Sequence, residues 1–195
     1  LGSGDVLLTG GVDAGGTVQK EAEVFAATGE TWEVAPDTMT ERRVGHYLTW
    51  LPSGEAMAVA GITTTAAIGD LADSDLYDPI GRTFSSGPTL AEERYYFAGT
   101  TFPNGTVLVA GGFDLSIGAN TGTAEEFVDG TAAWSGAGSL LHPRMHHTLT
   151  ALTSSAAIAA GGVLMKNATT VASYLKSVEL FDHSSRAWTS LPDIS

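Results

Sequence analysis

A short apolar run that stops on glycine occurs four times in this chain, and its spacing constrains the fold more than any other feature. The runs are Asp5–Gly11 (DVLLTGG), Glu55–Gly61 (EAMAVAG), Gly105–Gly112 (GTVLVAGG) and Ala156–Gly162 (AAIAAGG). Their last glycines fall at 11, 61, 112 and 162, in steps of 50, 51 and 50 residues. A fixed period of that size marks a repeat architecture, in which each unit buries its faces only by stacking on its neighbours.

Each unit follows one order. A turn opens it: Leu1–Gly4 (LGSG), Leu51–Gly54 (LPSG), Phe102–Gly105 (FPNG) and Leu152–Ser155 (LTSS). In such turns Pro presets φ, and Gly or Asn accepts the left-handed conformation. The apolar run is continuous rather than alternating, which predicts a strand buried on both faces. The glycines that end it (Gly10 and Gly11, Gly111 and Gly112, Gly161 and Gly162, with Gly61 preceded by Ala60) predict a bend or a close backbone approach. After a loop of variable length an acid stands two residues before an aromatic: Glu23 and Phe25, Asp75 and Tyr77, Glu125 and Phe127, Glu179 and Phe181. That spacing puts both on one face of a strand. Seven residues beyond each aromatic comes a second, giving the pairs Phe25 and Trp32, Tyr77 and Phe84, Phe127 and Trp134, Phe181 and Trp188. A polar turn lies between the members of each pair, so each brackets a hairpin. At about 150–250 Å² of burial per ring, these eight aromatics are expected to form much of the core. Arg43, Arg94 and Arg144 then open a further β-rich run, again in register with the period. A complete unit is therefore a four-stranded antiparallel meander. No 3.6-residue periodicity competes with it, and the chain reads as all-β.

Composition narrows the function. Lys plus Arg number 9 against 22 for Asp plus Glu, a formal net charge of −13. A surface that acidic repels phosphate backbones and anionic lipid, so nucleic-acid binding is not expected. The absence of cysteine removes disulfides, zinc–thiolate sites and cysteine nucleophiles. The longest apolar stretch, Ala156 to Met165, is short and interrupted by glycine, so no membrane insertion is expected. The chain opens on Leu1 and is read as a piece of something longer.

The apolar strand ending in glycines, the acid-x-aromatic strand, the aromatic seven residues on and the arginine opening the next strand resemble the kelch repeat. The stretches Leu51–Gly61 and Phe102–Gly112 are most similar to bacterial kelch proteins and to the central propeller domain of galactose oxidase. The resemblance covers essentially the whole chain, with local departures at Ala60 and Phe84. It implies a kelch-type β-propeller of four-stranded blades, with blade units at approximately 1–42, 43–93, 94–143 and 144–195. In that family a blade begins at the arginine-bearing inner strand, so the first unit here lacks one. Fifteen strands are expected, three in the first blade and four in each of the others. Propellers use 4–8 blades, and kelch rings usually six or seven. The expectation is thus about half a ring, completed by further chain, by a companion fragment or by a second copy; the alternative is four blades that close alone.

In a meander the loops before the arginine strands and after the glycines share one face, which usually binds partners. Candidate ligand-binding residues there are Arg43, His46, Arg94, Tyr95, Arg144, His146 and His147, with Asp13 and Asp114 just after the glycines; Tyr96 and His142 lie beside them. One reading is a polar channel mouth that holds an anionic, sugar-like or peptide ligand. The other is that the arginines pair with Glu23, Asp75, Glu125 and Glu179 and hold blades together. His146 and His147 are adjacent and face opposite sides of a strand, so no metal site is expected. Galactose oxidase needs copper and a tyrosine cross-linked to cysteine, which this chain cannot supply, and no cofactor is expected. Neither Gly-x-Ser-x-Gly nor a phosphate loop occurs. The leading expectation is a non-enzymatic scaffold for a protein or carbohydrate ligand, extracellular or periplasmic in the style of the bacterial proteins it resembles. The alternative is part of a carbohydrate-active enzyme, like galactose oxidase or the kelch sialic acid epimerase.

Overall fold

The computed structural model describes residues 1–64 and 69–194, and those residues form strands and turns with no helix among them. They group into two compact units, Leu1–Glu93 and Arg94–Ser195. The first unit holds a three-stranded sheet, β1 (Val6–Thr9), β2 (Ala22–Ala26) and β3 (Thr31–Val34). It also holds a four-stranded sheet, β4 (Tyr47–Trp50), β5 (Ala56–Ile62), β6 (Asp70–Asp78) and β7 (Thr83–Ser86).

The second unit repeats the four-stranded pattern twice. One sheet runs through β8 (Ala98–Thr101) and β9 (Val107–Ala110), then, after a small hairpin of β10 (Phe113–Asp114) and β11 (Ala119–Asn120), through β12 (Thr123–Phe127) and β13 (Ser135–Ser139). The other uses β14 (Thr148–Ala151) and β15 (Ala156–Ala160), a hairpin of β16 (Val163–Asn167) and β17 (Thr170–Tyr174), then β18 (Val178–Asp182) and β19 (Ala187–Leu191). Every pairing is antiparallel and every main sheet follows chain order. The two small hairpins occupy the loops of variable length after the glycines.

The aromatic pairs sit across hairpins. Phe25 faces Trp32, Tyr77 faces Phe84 and Phe181 faces Trp188 in register, and the four ring pairs have centroids 4.9–5.4 Å apart. Within the second unit the core joins Phe102, Leu108, Ala110 and Ala124 of one sheet to Ala157, Ala159, Phe181 and Trp188 of the next. Its counterpart in the first unit joins Leu7, Ala22 and Val24 to Ala56 and Tyr77.

Two expectations need correction. The apolar runs are not all buried on both faces: β5 and β9 are, whereas β1 alternates exposed and buried residues and β15 alternates half-buried and buried ones. Val6 and Leu8 are 53% and 54% exposed because among the described residues no sheet covers that side of β1. Trp32 is 53% exposed for the same reason, so the eight rings do not all belong to the core.

The glycines act as close-approach points. A Cβ on Gly10 would lie 2.4 Å from the Arg43 carbonyl oxygen, and one on Gly111 2.5 Å from that of Arg144. Each spot is where the end of one sheet's apolar run meets the segment leading into the next sheet. Ala60 replaces the first glycine in its unit and holds the same left-handed backbone, φ 54°.

Candidate functional site

The repeated arginines and acids find each other. Arg43 pairs with Asp75, Arg94 with Glu125 at 2.9 Å and Arg144 with Glu179, and all three arginines are fully buried. The bonds repeat atom for atom. Nη1 donates to the carbonyl at the end of the apolar run (Ala60, Gly111, Gly161) and to the carbonyl two residues before the acid (Asp73, Thr123, Ser177). Nη2 donates to the acid itself. The pairing lies within a sheet rather than between sheets. The acid reaches outward, though: Asp75 accepts the Thr40 amide, and Glu179 accepts the amides of Leu141 and His142, which lie in the segments arriving from the preceding sheets. Each guanidinium therefore staples its sheet, and the carboxylates of Asp75 and Glu179 anchor the incoming chain. A buried ion pair of this kind is favoured by satisfying its remaining hydrogen bonds; the carbonyls take the Nη1 donors, and at Arg144 the His142 carbonyl takes Nε as well, whereas the Nε of Arg43 is buried without a hydrogen-bond partner.

The residue two after each arginine has a different character. Gly45, Tyr96 and His146 all take the left-handed backbone, at φ 66°, 51° and 53°. For Tyr and His that conformation costs on the order of 1 kcal/mol. The strain aims their rings at each other: the centroids are 4.3 Å apart at 31°, and the His146 amide donates to the Tyr96 carbonyl at 2.9 Å. Tyr95 packs against Tyr96 at 4.9 Å and against Phe113 at 5.8 Å, backing the pair from the buried side. His146 is exposed and Tyr96 half-buried. Partial desolvation on its packed side lowers the His146 imidazole below the ordinary histidine range, so the pair is a neutral aromatic surface at pH 7.

The next position holds His46, Phe97 and His147, wedged against glycines. His46 lies against Gly10 and Gly61, His147 against Gly111 and Gly162. The Nε2 of His46 meets Thr9 Oγ1 at 3.0 Å. At the matching place beside His147 stands Ala110, and both His147 ring nitrogens are buried without a hydrogen-bond partner. Burial, aided by Arg43, pushes His46 down to about 4; burial, aided by Arg144 and His146, pushes His147 down to about 3. A Thr9→Val variant, isosteric but without the hydroxyl, is expected to lower stability by about 1 kcal/mol, read from the urea midpoint at pH 7.

Asp13 and Asp114 build their own loops. Asp13 accepts the amides of Gly15 and Thr17 and the side chain of Gln19, while Asp114 accepts the Ser116 amide and hydroxyl. His142 lies with Glu179, its Nδ1 3.3 Å from the carboxylate. No group of three metal-ligating side chains forms among the described residues.

One feature of the second unit has no counterpart among the sequence candidates. Glu126, almost fully buried, bonds the Nδ1 of His183 from the neighbouring sheet, with Arg186 Nε at 3.6 Å. Val24, Leu76 and Leu180 fill its place in the other sheets, so a lone acid at an apolar repeat position was the available signal.

The structure thus brings Tyr95, Tyr96 and His146 together as an open cluster and encloses Arg43, Arg94, Arg144 and His147. No family model matches the chain, and no curated protein matches it. Among solved structures the chain is similar to YjhT, with a TM-score of 0.81 and 13% identity over 98% of this chain and 68% of that one. At that identity the likeness concerns the fold alone: an all-β assembly of small antiparallel sheets that persists where little sequence is shared.

Proposed function

We propose that the chain is a segment of a kelch-type β-propeller that binds a protein or carbohydrate partner through the face carrying the arginine-strand starts, and that it works by binding rather than catalysis. The observation that carries this reading is the Tyr96–His146 pair. Two non-glycine residues accept backbone strain where Gly45 avoids it, and the result is a stacked, partly exposed aromatic surface. Strain at such a point is retained when the surrounding structure fixes it, and it concentrates at ligand clamps and active sites. Aromatic anchors backed by packed neighbours also dominate binding energy at interfaces. The repeated acids support binding over catalysis, since Asp75, Glu125 and Glu179 are committed to arginines.

The test is His146→Gly, which removes the ring and relieves the strain together. Stability is expected to hold or to rise by up to about 1 kcal/mol, while binding to a printed panel of oligosaccharides and tyrosine-rich peptides falls at least tenfold. A variant that keeps every panel signal would overturn the reading.

A further inference from the structure

The crevice between the two sheets of the first unit stays open where the matching crevice of the second unit is filled. In the second unit three side chains close the space between the sheet begun by β8 and the sheet begun by β14. Phe102, only 2% exposed, sets its ring 6.4 Å from Phe181 and 5.8 Å from His183, and His183 in turn bonds the buried Glu126. Strand register and turn position put Leu1, Val24 and Pro79 at the places of Phe102, Glu126 and His183, and each is the smaller residue. Leu1 is held there by the same turn bond as Phe102: its backbone nitrogen donates to the Asp5 carbonyl at 2.8 Å, as that of Phe102 does to Thr106. What remains is a cleft of about 420 Å³ at the end of β4 remote from Arg43.

The cleft has aromatic and apolar walls and one polar edge. Trp50 stands where the second unit has Ala151, and its indole lies so close to Gly2 that a Cβ there would come within 3.1 Å of the ring. Pro52 and Pro103 occupy the place of Gly2 in the next two turns, so the glycine makes room for the indole. Opposite it lie Val24, Ala26 and Pro79. The polar edge is Tyr77 with Arg82. Tyr77 is 1% exposed and is the one tyrosine at a place held elsewhere by Phe25, Phe127 and Phe181, so the hairpin pairing does not need its hydroxyl. The Arg82 guanidinium lies beside that hydroxyl and pairs with Glu33 at 3.0 Å on the rim. We infer that this cleft binds an uncharged planar aromatic molecule of about two fused rings that carries one hydroxyl or N–H group. Its volume lies in the range of small-molecule pockets, which are mostly apolar with a few polar groups that fix orientation. The indole and the phenol ring offer faces for stacking, and the ligand's polar group meets the Tyr77–Arg82 edge. A charged ligand finds no free counter-ion inside: Arg82 and Glu33 neutralise each other, and Asp5 is occupied by the Ser3 hydroxyl and the Ala27 amide.

The probe is 2-naphthol, titrated into the 195-residue protein by isothermal calorimetry, with 2-naphthoate as its charged counterpart. Saturable binding of 2-naphthol at one site per chain is expected, with Kd below about 1 mM and with 2-naphthoate weaker by about tenfold or more. Leu1→Phe puts the second unit's plug into the cleft and is expected to abolish uptake with an unchanged or higher melting temperature. Tyr77→Phe keeps the ring, as the other three sheets do, and is expected to weaken 2-naphthol about fivefold. No saturation at millimolar protein would overturn the inference, as would 2-naphthoate binding as tightly as 2-naphthol. Full uptake by a folded Leu1→Phe variant would overturn it too, by placing the ligand elsewhere. If Leu1→Phe lowers the melting temperature, Tyr77→Phe decides, and undiminished affinity there overturns the inference. His146→Gly is expected to leave uptake intact, which separates the cleft from the ligand face.

Discussion

Replacing Arg144 with methionine is expected to cost about 3–5 kcal/mol, because it strands the buried Glu179 carboxylate without its cation. The methylene stem survives in methionine, so the loss is chiefly the guanidinium. Its Nη1 bonds to the carbonyls of Gly161 and Ser177 also disappear. Glu179 would still accept the amides of Leu141 and His142, so it cannot turn outward without releasing the incoming chain. Adding Glu179→Gln to the same protein is expected to restore part of the loss, since the neutral side chain buries no charge and its one oxygen keeps an acceptor for one of the two amides. Glu23→Gln provides the contrast within the same repeat. Glu23 is exposed and meets no guanidinium among the described residues, so its substitution should stay within about 0.5 kcal/mol. Urea denaturation of the four proteins decides the matter: equal costs for Glu23→Gln and Arg144→Met would mean the buried pairs do not hold their sheets.

The same pairs show how far sequence carries. The period of 50 residues and the acid two places before an aromatic place strands and ring pairs closely, because both features reflect local geometry that repeats. The arginine partners also follow from register alone. What the sequence hides is whether a neighbour exists. VLLT of β1 and VLVA of β9 are nearly interchangeable as text, yet one leaves Val6 and Leu8 open and the other is wholly enclosed. Burial on the second face depends on the adjoining sheet, which no strand encodes by itself. The aromatic cluster is half legible: the repeat places Tyr95, Tyr96 and His146 on one loop face, but not the strain that orients Tyr96 and His146. Gly45 at the matching place was the hint, since a glycine there signals a left-handed backbone that its counterparts must also adopt. For Glu126 the sequence offers only the interruption of an otherwise apolar position. The hairpins β10–β11 and β16–β17 fall in loops that differ from unit to unit, where no repeat constrains the reading.

Acid should open this protein through two histidines rather than through its carboxylates alone. His46 and His147 have ordinary values near 6.5 when unfolded and are held near 4 and near 3 in the fold. Above pH 6.5 both are neutral in either state and exert no pH dependence. As pH falls below 6.5 the unfolded chain takes up protons that the folded one refuses, so stability drops with each step of acidification. At about 1.4 kcal/mol per pKa unit, each histidine should cost roughly 2.5 kcal/mol by pH 4.5. The penalty is steric as well as electrostatic, because the imidazoles fill the crevices between glycines where a hydration shell has no room. The repeat itself supplies the control: Phe97 occupies the same position in the intervening sheet. A His46→Phe, His147→Phe double variant should therefore lose about 1 kcal/mol at pH 7, where the Thr9 hydroxyl loses its His46 partner, while losing about 5 kcal/mol less than the parent between pH 7 and pH 4.5. Urea midpoints at the two pH values measure this directly. Parallel losses in both proteins would place the acid sensitivity in groups other than these histidines, and not in Asp5, Asp37 or Asp182, whose values are lowered by hydrogen bonds and whose contribution fades only below the ordinary carboxylate range, outside this window.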